Sequence, residues 1–153
     1  MIVNGFKPVT AGAIRSGGYI NSYDKQIGID TKDLIADDGK CAVTVIPREI
    51  TLNPHSCVHG GWTASLLDTV ASGAAFSNQA GSLNDEEYGL TSELKLRYNA
   101  PLFAGQKYTC EGTVIKREGN NIYTEAIVSD NEGHPVATAT ALVKARKLDY
   151  KAT

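Results

Sequence analysis

Asn53-Pro54-His55-Ser56-Cys57-Val58-His59-Gly60-Gly61, with Asp68 seven residues further on, is the stretch that decides how this chain folds. A polar loop runs into a Gly-Gly break, and the break opens a helix that carries one acid. Across residues 61–77, Trp62, Leu66, Val70 and Ala74 recur on one stripe, the spacing of a buried helix face. Asp68 falls off that stripe. At about 100° per residue it shares a sector with Ala64, Ser65, Ala71, Ser72 and Ala75, small side chains that leave room for another chain or a ligand.

Two readings of Asp68 follow. In one it meets a buried serine or backbone amide and only ties helices together. In the other, a carboxylate with restricted access to water serves as general base or nucleophile. The turn before the helix supplies the complementary half of a site. Amides in the first helical turn lack internal partners and lie at the positive end of the dipole, so the Gly60 and Gly61 N–H groups are placed to hold a carbonyl oxygen that becomes anionic. Glycine at both positions lets a substrate approach the backbone. For an isolated Gly-Gly, a tight turn into the helix is sufficient explanation; Asn53, His59 and Asp68 around this one point to a site.

Gly60 and Asp68 are eight residues apart, about 12 Å along a helix at 1.5 Å per residue. A base or nucleophile acts within a few ångströms of the carbonyl it attacks. One helix therefore does not bring both groups to one substrate. If both are catalytic, two copies of the helix lie antiparallel in a twofold homodimer, with Gly60 of one subunit facing Asp68 of the other.

The chain of 153 residues is one domain with an ordinary apolar fraction of 42% and charged fraction of 21%. Its net charge of −2, with basic residues scattered, gives no footprint for nucleic acid. The start lacks the pattern of a signal peptide, and no apolar run is long enough to cross a bilayer, which reads as a cytoplasmic protein with no membrane partner. Cys41, Cys57 and Cys110 show no paired spacing and suit free thiols. Cys57 between His55 and His59 invites a metal, but His-x-Cys-x-His on an extended loop does not match zinc spacing, and no metal is expected. A Cys57 nucleophile is the lesser reading.

Residues 1–18 form an N-terminal segment, a short helix around Ala11 or a loose end. Residues 19–147 form the main domain and 148–153 a tail. Within the domain, a helical turn leading to a strand near Ile27-Gly28-Ile29 is followed by a strand over residues 39–47, which Pro47 ends. The long helix comes next, then a loop over residues 79–87. After it the period changes from 3.6 to 2. Leu90, Leu94, Leu96 and Tyr98 alternate with Thr91, Glu93, Lys95 and Arg97 until Pro101. Strands over residues 106–117, 122–129 and 136–146 follow, joined by turns at Gly119-Asn120-Asn121 and Asp130-Asn131-Glu132-Gly133. The order predicts an α+β fold, with a curved antiparallel sheet of five or six strands wrapped around one long helix.

The constellation resembles the hotdog-fold thioesterases of the phenylacetic-acid-degradation type, the PaaI-like acyl-CoA thioesterases. The motif is Asn, six residues to His-Gly-Gly, then an acid seven beyond the second Gly: Asn53, His59-Gly60-Gly61 and Asp68. A second motif, a strand ending in an aromatic, a spacer and Pro, is similar to residues 90–101, and the likeness covers residues 19–145. At one position the chain departs: many members of the family carry Gly three residues after the Asn, and here stands Ser56, which bears on the shape of the loop holding Asn53.

The resemblance implies hydrolysis of a small aryl or short or medium acyl-CoA thioester, with no cofactor, since CoA is part of the substrate. It implies that the Gly60 amide polarises the thioester carbonyl, that Asn53 helps hold the carbonyl or the attacking water, and that His59 shapes the loop and contacts the thioester. Asp68 of the opposite subunit activates water or attacks directly to give an anhydride, and Thr91 positions the water. Gly61 and Ser92 line the substrate, Lys95, Arg97, Lys116 and Arg117 are candidates for the CoA phosphates, and Gly119 allows close backbone approach. Each basic residue read singly is a solvated strand charge, and Gly119 a hairpin glycine. Such dimers often pair into homotetramers. A hotdog hydratase or dehydratase, using His59 and Asp68 on the α and β carbons, and a non-catalytic acyl-CoA binding or sensing module are the competing readings. No Gly-x-Ser-x-Gly elbow, phosphate loop or dinucleotide fingerprint occurs.

Overall fold

The computed structural model describes residues 8–15, 22–30, 34 and 41–148. In chain order it contains helices α1 (Ala11–Arg15) and α2 (Ser22–Gln26), strand β1 (Cys41–Val45), a single 3-10 turn (Glu49–Thr51) and the long helix α3 (Gly60–Phe76). Strands β2 (Glu87–Tyr98), β3 (Tyr108–Glu118), β4 (Asn121–Ser129) and β5 (Pro135–Lys147) complete it. They form one antiparallel sheet of five strands in the order β1-β3-β4-β5-β2. The sheet curves around α3, which touches every strand. This is the hotdog fold. No helix among the described residues is long and apolar enough to cross a membrane. The parts of the expected N-terminal segment and tail at residues 1–7, 16–18 and 149–153 lie outside the described residues.

The core forms where the helix stripe meets the inner face of the sheet. Trp62, Leu66, Leu67 and Val70 are buried against Val43, Cys110, Ala126, Val128 and the β5 alanines, at roughly 1.5–3 kcal/mol for each large side chain. Close approach is set by Gly112 of β3, where a Cβ would stand 2.5 Å from the Val70 carbonyl oxygen. Nothing larger than glycine fits between helix and strand there. Cys41 and Cys110 belong to this core; burial pushes the Cys41 thiol up to about 12 and the Cys110 thiol higher still, so both are inert thiols.

Several expectations require correction. Residues 27–29 form a turn and not a strand: Gly28 adopts a positive φ of 82°, and Ile29 N–H returns to the Asp24 carbonyl. Ala71 and Ala75 are fully buried in the core, not in the open sector with Asp68. That sector is partly covered by α2, whose Tyr23 hydroxyl meets Ser65 Oγ at 2.8 Å and whose buried Asp24 accepts the Thr69 hydroxyl at 2.8 Å. In β2 the alternation does not run unbroken. The register shifts between Thr91 and Glu93, leaving Ser92 as the extra residue of a bulge. Leu90 therefore points outward and is exposed, while Leu94 and Leu96 pack on the core.

The two ends of the loop after α3 are fixed by arginines. Arg15 of α1 donates Nε to the Phe76 carbonyl at 3.0 Å and Nη2 to the Ser77 carbonyl at 3.1 Å and to the Leu83 carbonyl, satisfying acceptors that the helix end leaves open. Arg117, expected at the CoA phosphates, instead forks onto Glu87 at 2.8 and 3.0 Å and reaches the Ser82 and Gly119 carbonyls. Glu87 begins β2 rather than ending the loop.

The Arg117 hydrogen bond holds the Glu87 carboxyl below its ordinary value of 4.5, against the opposing effect of burial. A depressed carboxyl stabilises the fold fully above 4.5 and loses that contribution as pH falls through the lower folded value. Arg117→Met is thus expected to cost about 2–3 kcal/mol at pH 7, less than the 3–5 of a fully buried pair, because Arg117 is 23% exposed although Glu87 is only 5% exposed. Urea unfolding at pH 7 and below pH 4 checks this: the gap between variant and parent narrows in acid.

Candidate active site

The loop before α3 is built by Asn53. Leu52 and Val58 form an isolated antiparallel bridge, the Asn53 N–H donates to the Cys57 carbonyl at 2.8 Å, and Asn53 Oδ1 accepts the His55 N–H at 2.9 Å and the Cys57 N–H at 3.4 Å. This is an Asx turn, a local side-chain bond that fixes the loop. The Nδ2 group reaches Cys57 Sγ at 3.3 Å. The loop is anchored outside itself by the Val58 N–H on the Leu102 carbonyl and the His59 N–H on the Thr51 carbonyl.

Ser56 sits at the tip with φ 61°, the one non-glycine residue with positive φ among the described residues. A glycine at this position would take that conformation without strain. A left-handed L-residue costs about 1–2 kcal/mol, offset in part by the roughly 0.5–1 kcal/mol that glycine loses on ordering. Ser56→Gly is expected to stabilise the protein by up to about 1 kcal/mol, a Tm rise of about 2–4 °C. A thermal scan that shows a drop in Tm refutes it.

His59 is the N-cap of α3, with φ −60° and ψ 133°. The four amides that a helix start leaves open can be followed one by one. The His59 N–H goes to the Thr51 carbonyl, the Gly61 N–H donates to His59 Nδ1 at 2.9 Å, and the Trp62 N–H donates to the His59 carbonyl at 2.9 Å, which also takes the first helical bond, from Thr63, at 3.3 Å. The Gly60 N–H has no protein acceptor among the described residues. Of the two glycine amides expected to polarise a carbonyl, Gly60 is therefore open and Gly61 is held by the cap. Because Nδ1 accepts, the imidazole hydrogen is placed on Nε2 of an exposed residue. His55, Cys57 and His59 do not converge: His59 turns to Gly61, and Cys57 to Asn53.

Gly60 opens on a cavity of ≈ 310 Å³ walled by Val58, Thr63, Tyr98 and residues 99–102. Tyr98, expected on the buried side of β2, is 52% exposed and donates its hydroxyl to the Gly60 carbonyl at 2.8 Å. The sequence reading missed it as a site residue. Its signal was the aromatic closing the strand just before Asn99-Ala100-Pro101.

Asp68, two turns further along α3, does not line this cavity. It is half-buried, and its Oδ1 accepts the Thr91 hydroxyl at 2.9 Å. Oδ2 accepts no hydrogen bond from the described residues. The bulge at Ser92 lies directly after Thr91, at the point where β2 re-aims its side chains. Ser92 itself is exposed. The fold thus joins Asp68 to Thr91 and Asn53 to His59 and Gly60, as two clusters at separate places on one chain.

The basic candidates divide. Lys95 and Arg97 are exposed on β2 between the two clusters. Lys116 pairs with Glu118 at 2.7 Å and lies 4.8 Å from the Tyr123 ring centroid, all at the surface. Arg117 is occupied by Glu87. Gly119, with φ 58°, is the first central residue of the two-residue turn between β3 and β4, where glycine is required by the backbone.

The chain was compared with known proteins. The sequence profile described as "Thioesterase superfamily" matches residues 55–137. No curated protein sequence matches significantly. Among solved structures, the Escherichia coli PaaI protein from the phenylacetic acid degradation operon is similar, with 23% identity, a TM-score of 0.70, and coverage of 92% of this chain and 91% of that one. A hypothetical thioesterase from Streptococcus pneumoniae with coenzyme A has 19% identity, a TM-score of 0.63, and coverage of 72% and 83%. A Streptococcus mutans protein bound to acetyl CoA has 17% identity, a TM-score of 0.65, and coverage of 75% and 88%. At these identities the likenesses speak for the fold.

Proposed function

The chain belongs to the thioesterase superfamily, whose members are thioester hydrolases, and from that premise we propose that it hydrolyses a small aryl or short to medium acyl-CoA to the free acid and CoA. The observation that carries the proposal is the unused Gly60 N–H at the head of α3, opening on a cavity. It is the one first-turn amide with no acceptor among the described residues. An N–H aimed at a developing oxyanion is worth about 10²–10³ in rate.

In the proposed reaction the thioester carbonyl lies against the Gly60 amide of one subunit, and His59 Nε2–H stands beside it. Asp68 Oδ2 of the other subunit takes a proton from water while the hydroxyl oxygen attacks the carbonyl carbon. The negative charge passes to the carbonyl oxygen and is held by Gly60. Collapse of the tetrahedral intermediate breaks the C–S bond, and the proton on Asp68 returns to the CoA thiolate. Thr91 keeps Oδ1 engaged and leaves its own lone pairs for the same water. Direct attack by Asp68 gives an anhydride instead; ¹⁸O retained in the protein after a single turnover in ¹⁸O-water marks that route, with water opening the anhydride at the Asp68 carboxyl carbon.

The solved relatives that hold coenzyme A or acetyl CoA support CoA as the leaving group. Lys95 and Arg97 are the residues proposed for its phosphates, because Arg117 is committed to Glu87. Asn53 is proposed to act through the loop it ties. The pairing places two α3 helices antiparallel, and a pair of such dimers forms a homotetramer in the cytoplasm.

The test is purified protein with benzoyl-, phenylacetyl-, acetyl- and hexanoyl-CoA and a thiol-trapping reagent, and separately with an enoyl-CoA. Release of CoA thiol at turnover rates supports the proposal. Hydration of an enoyl-CoA, or binding of all four without thiol release, overturns it in favour of a hydratase or a binding module.

A further inference from the structure

Two glycines in succession give the head of α3 little intrinsic stiffness, since neither has a Cβ to restrict its peptide planes. A donor that stabilises a transition state has to be fixed in advance. The Gly60–Gly61 peptide is fixed on both sides. Its N–H is held by His59 Nδ1 at 2.9 Å and its C=O by the Tyr98 hydroxyl at 2.8 Å. The second bond joins the helix to the last residue of a strand 38 positions away.

The Tyr98 bond is not demanded by folding. A tyrosine that is 52% exposed has water for its hydroxyl and no desolvated group to satisfy. Yet the residue lines the cavity and its ring lies against Gly60, where a Cβ would meet it at 3.5 Å. Hydrogen bonds in series also polarise one another. Donation into the Gly60 carbonyl strengthens the Gly61 N–H as a donor to His59 Nδ1, and a ring that accepts at Nδ1 is a better donor at Nε2.

We infer that Tyr98 is a positioning residue of this site: acting through the Gly60–Gly61 peptide, its hydroxyl holds the Gly61 N–H on His59 Nδ1 and so orients the His59 Nε2–H offered to the substrate carbonyl beside the Gly60 N–H. The inference rests on the thioesterase reading above. Tyr98 does no chemistry of its own; it determines where the His59 donor points.

The experiment is Tyr98→Phe, which removes one oxygen and keeps the half-exposed ring. With the best substrate of the four-thioester panel, kcat is expected to fall about five- to tenfold, the effect of one hydrogen bond on a barrier. KM stays within about twofold and Tm within a few degrees. Combined with His59→Gln, the loss is expected to be smaller than the product of the two single losses, because both act through one peptide. The ¹⁵N spectrum of the imidazole supplies a readout that needs no substrate: His59 holds its hydrogen on Nε2 in the parent and becomes a mixture of tautomers in Tyr98→Phe. An unchanged kcat, a rise in KM alone, a fully multiplicative double variant or an unchanged imidazole spectrum overturns the inference. Asp68→Asn, run alongside, keeps the two readings apart. Full activity there defeats the assignment of the acid, whereas the tautomer result still decides Tyr98.

Discussion

Asp68→Asn is expected to lower kcat by at least about 10², with KM and Tm nearly unchanged. A positioned general base contributes about 10²–10⁴, and an amide cannot take its place. The substitution is conservative in shape. Asn keeps an Oδ1 that accepts the Thr91 hydroxyl, so the contact that orients the side chain at 2.9 Å survives. What disappears is the Oδ2 lone pair that accepts no hydrogen bond from the described residues. Steady-state kinetics beside a thermal scan is sufficient; a folded variant with parental turnover removes Asp68 from the mechanism.

The second large effect comes from Gly60→Pro, which removes the Gly60 N–H and sets the ring Cδ in its place. Gly60 is the first residue of α3, where proline is favoured because its missing N–H has no helical partner. The preceding residue must be extended, and His59 already is, with φ −60° and ψ 133°. A Cβ at this position meets the Tyr98 ring at an ordinary 3.5 Å. The fold should therefore hold while kcat drops about 10²–10³, the effect of one oxyanion donor. Mixing this variant with Asp68→Asn, after subunit exchange, should then restore activity. Half of the dimers are hybrids, and each hybrid has one site with both native groups, so recovery approaches about a quarter of the parental rate. If exchanged hybrids stay as inactive as their parents, the shared site is wrong.

The helix and its Gly-Gly entry were legible in the sequence because a buried stripe has to repeat at the helical period, and Trp62, Leu66, Val70 and Ala74 leave no other solution. The hairpin turns were legible because Gly119 and Gly133 meet positive φ requirements that few residues can. The bulge in β2 was not. Leu90 and Leu94 are four apart, which an unbroken strand would place on one face, and nothing in the residue types marks Ser92 as the extra one. The role of Arg117 was hidden because its partner Glu87 is thirty residues away, and a basic residue on a strand looks alike whether it meets a phosphate or a carboxylate. Ala71 and Ala75 were misplaced because small side chains suit a close helix–sheet contact as well as an open face. Within the site, Asp68 and Thr91 were both named, but the bond between them depends on tertiary packing.

Gly112 beneath Val70 seats α3 directly on the sheet. On the proposed pairing, that single rod delivers the electrophile-activating end to one reaction centre and the proton acceptor to the other. The two centres then share a common mechanical part. A change that tilts the rod alters both partners' rates together, and improvement at one pocket cannot be selected without consequence for its twin.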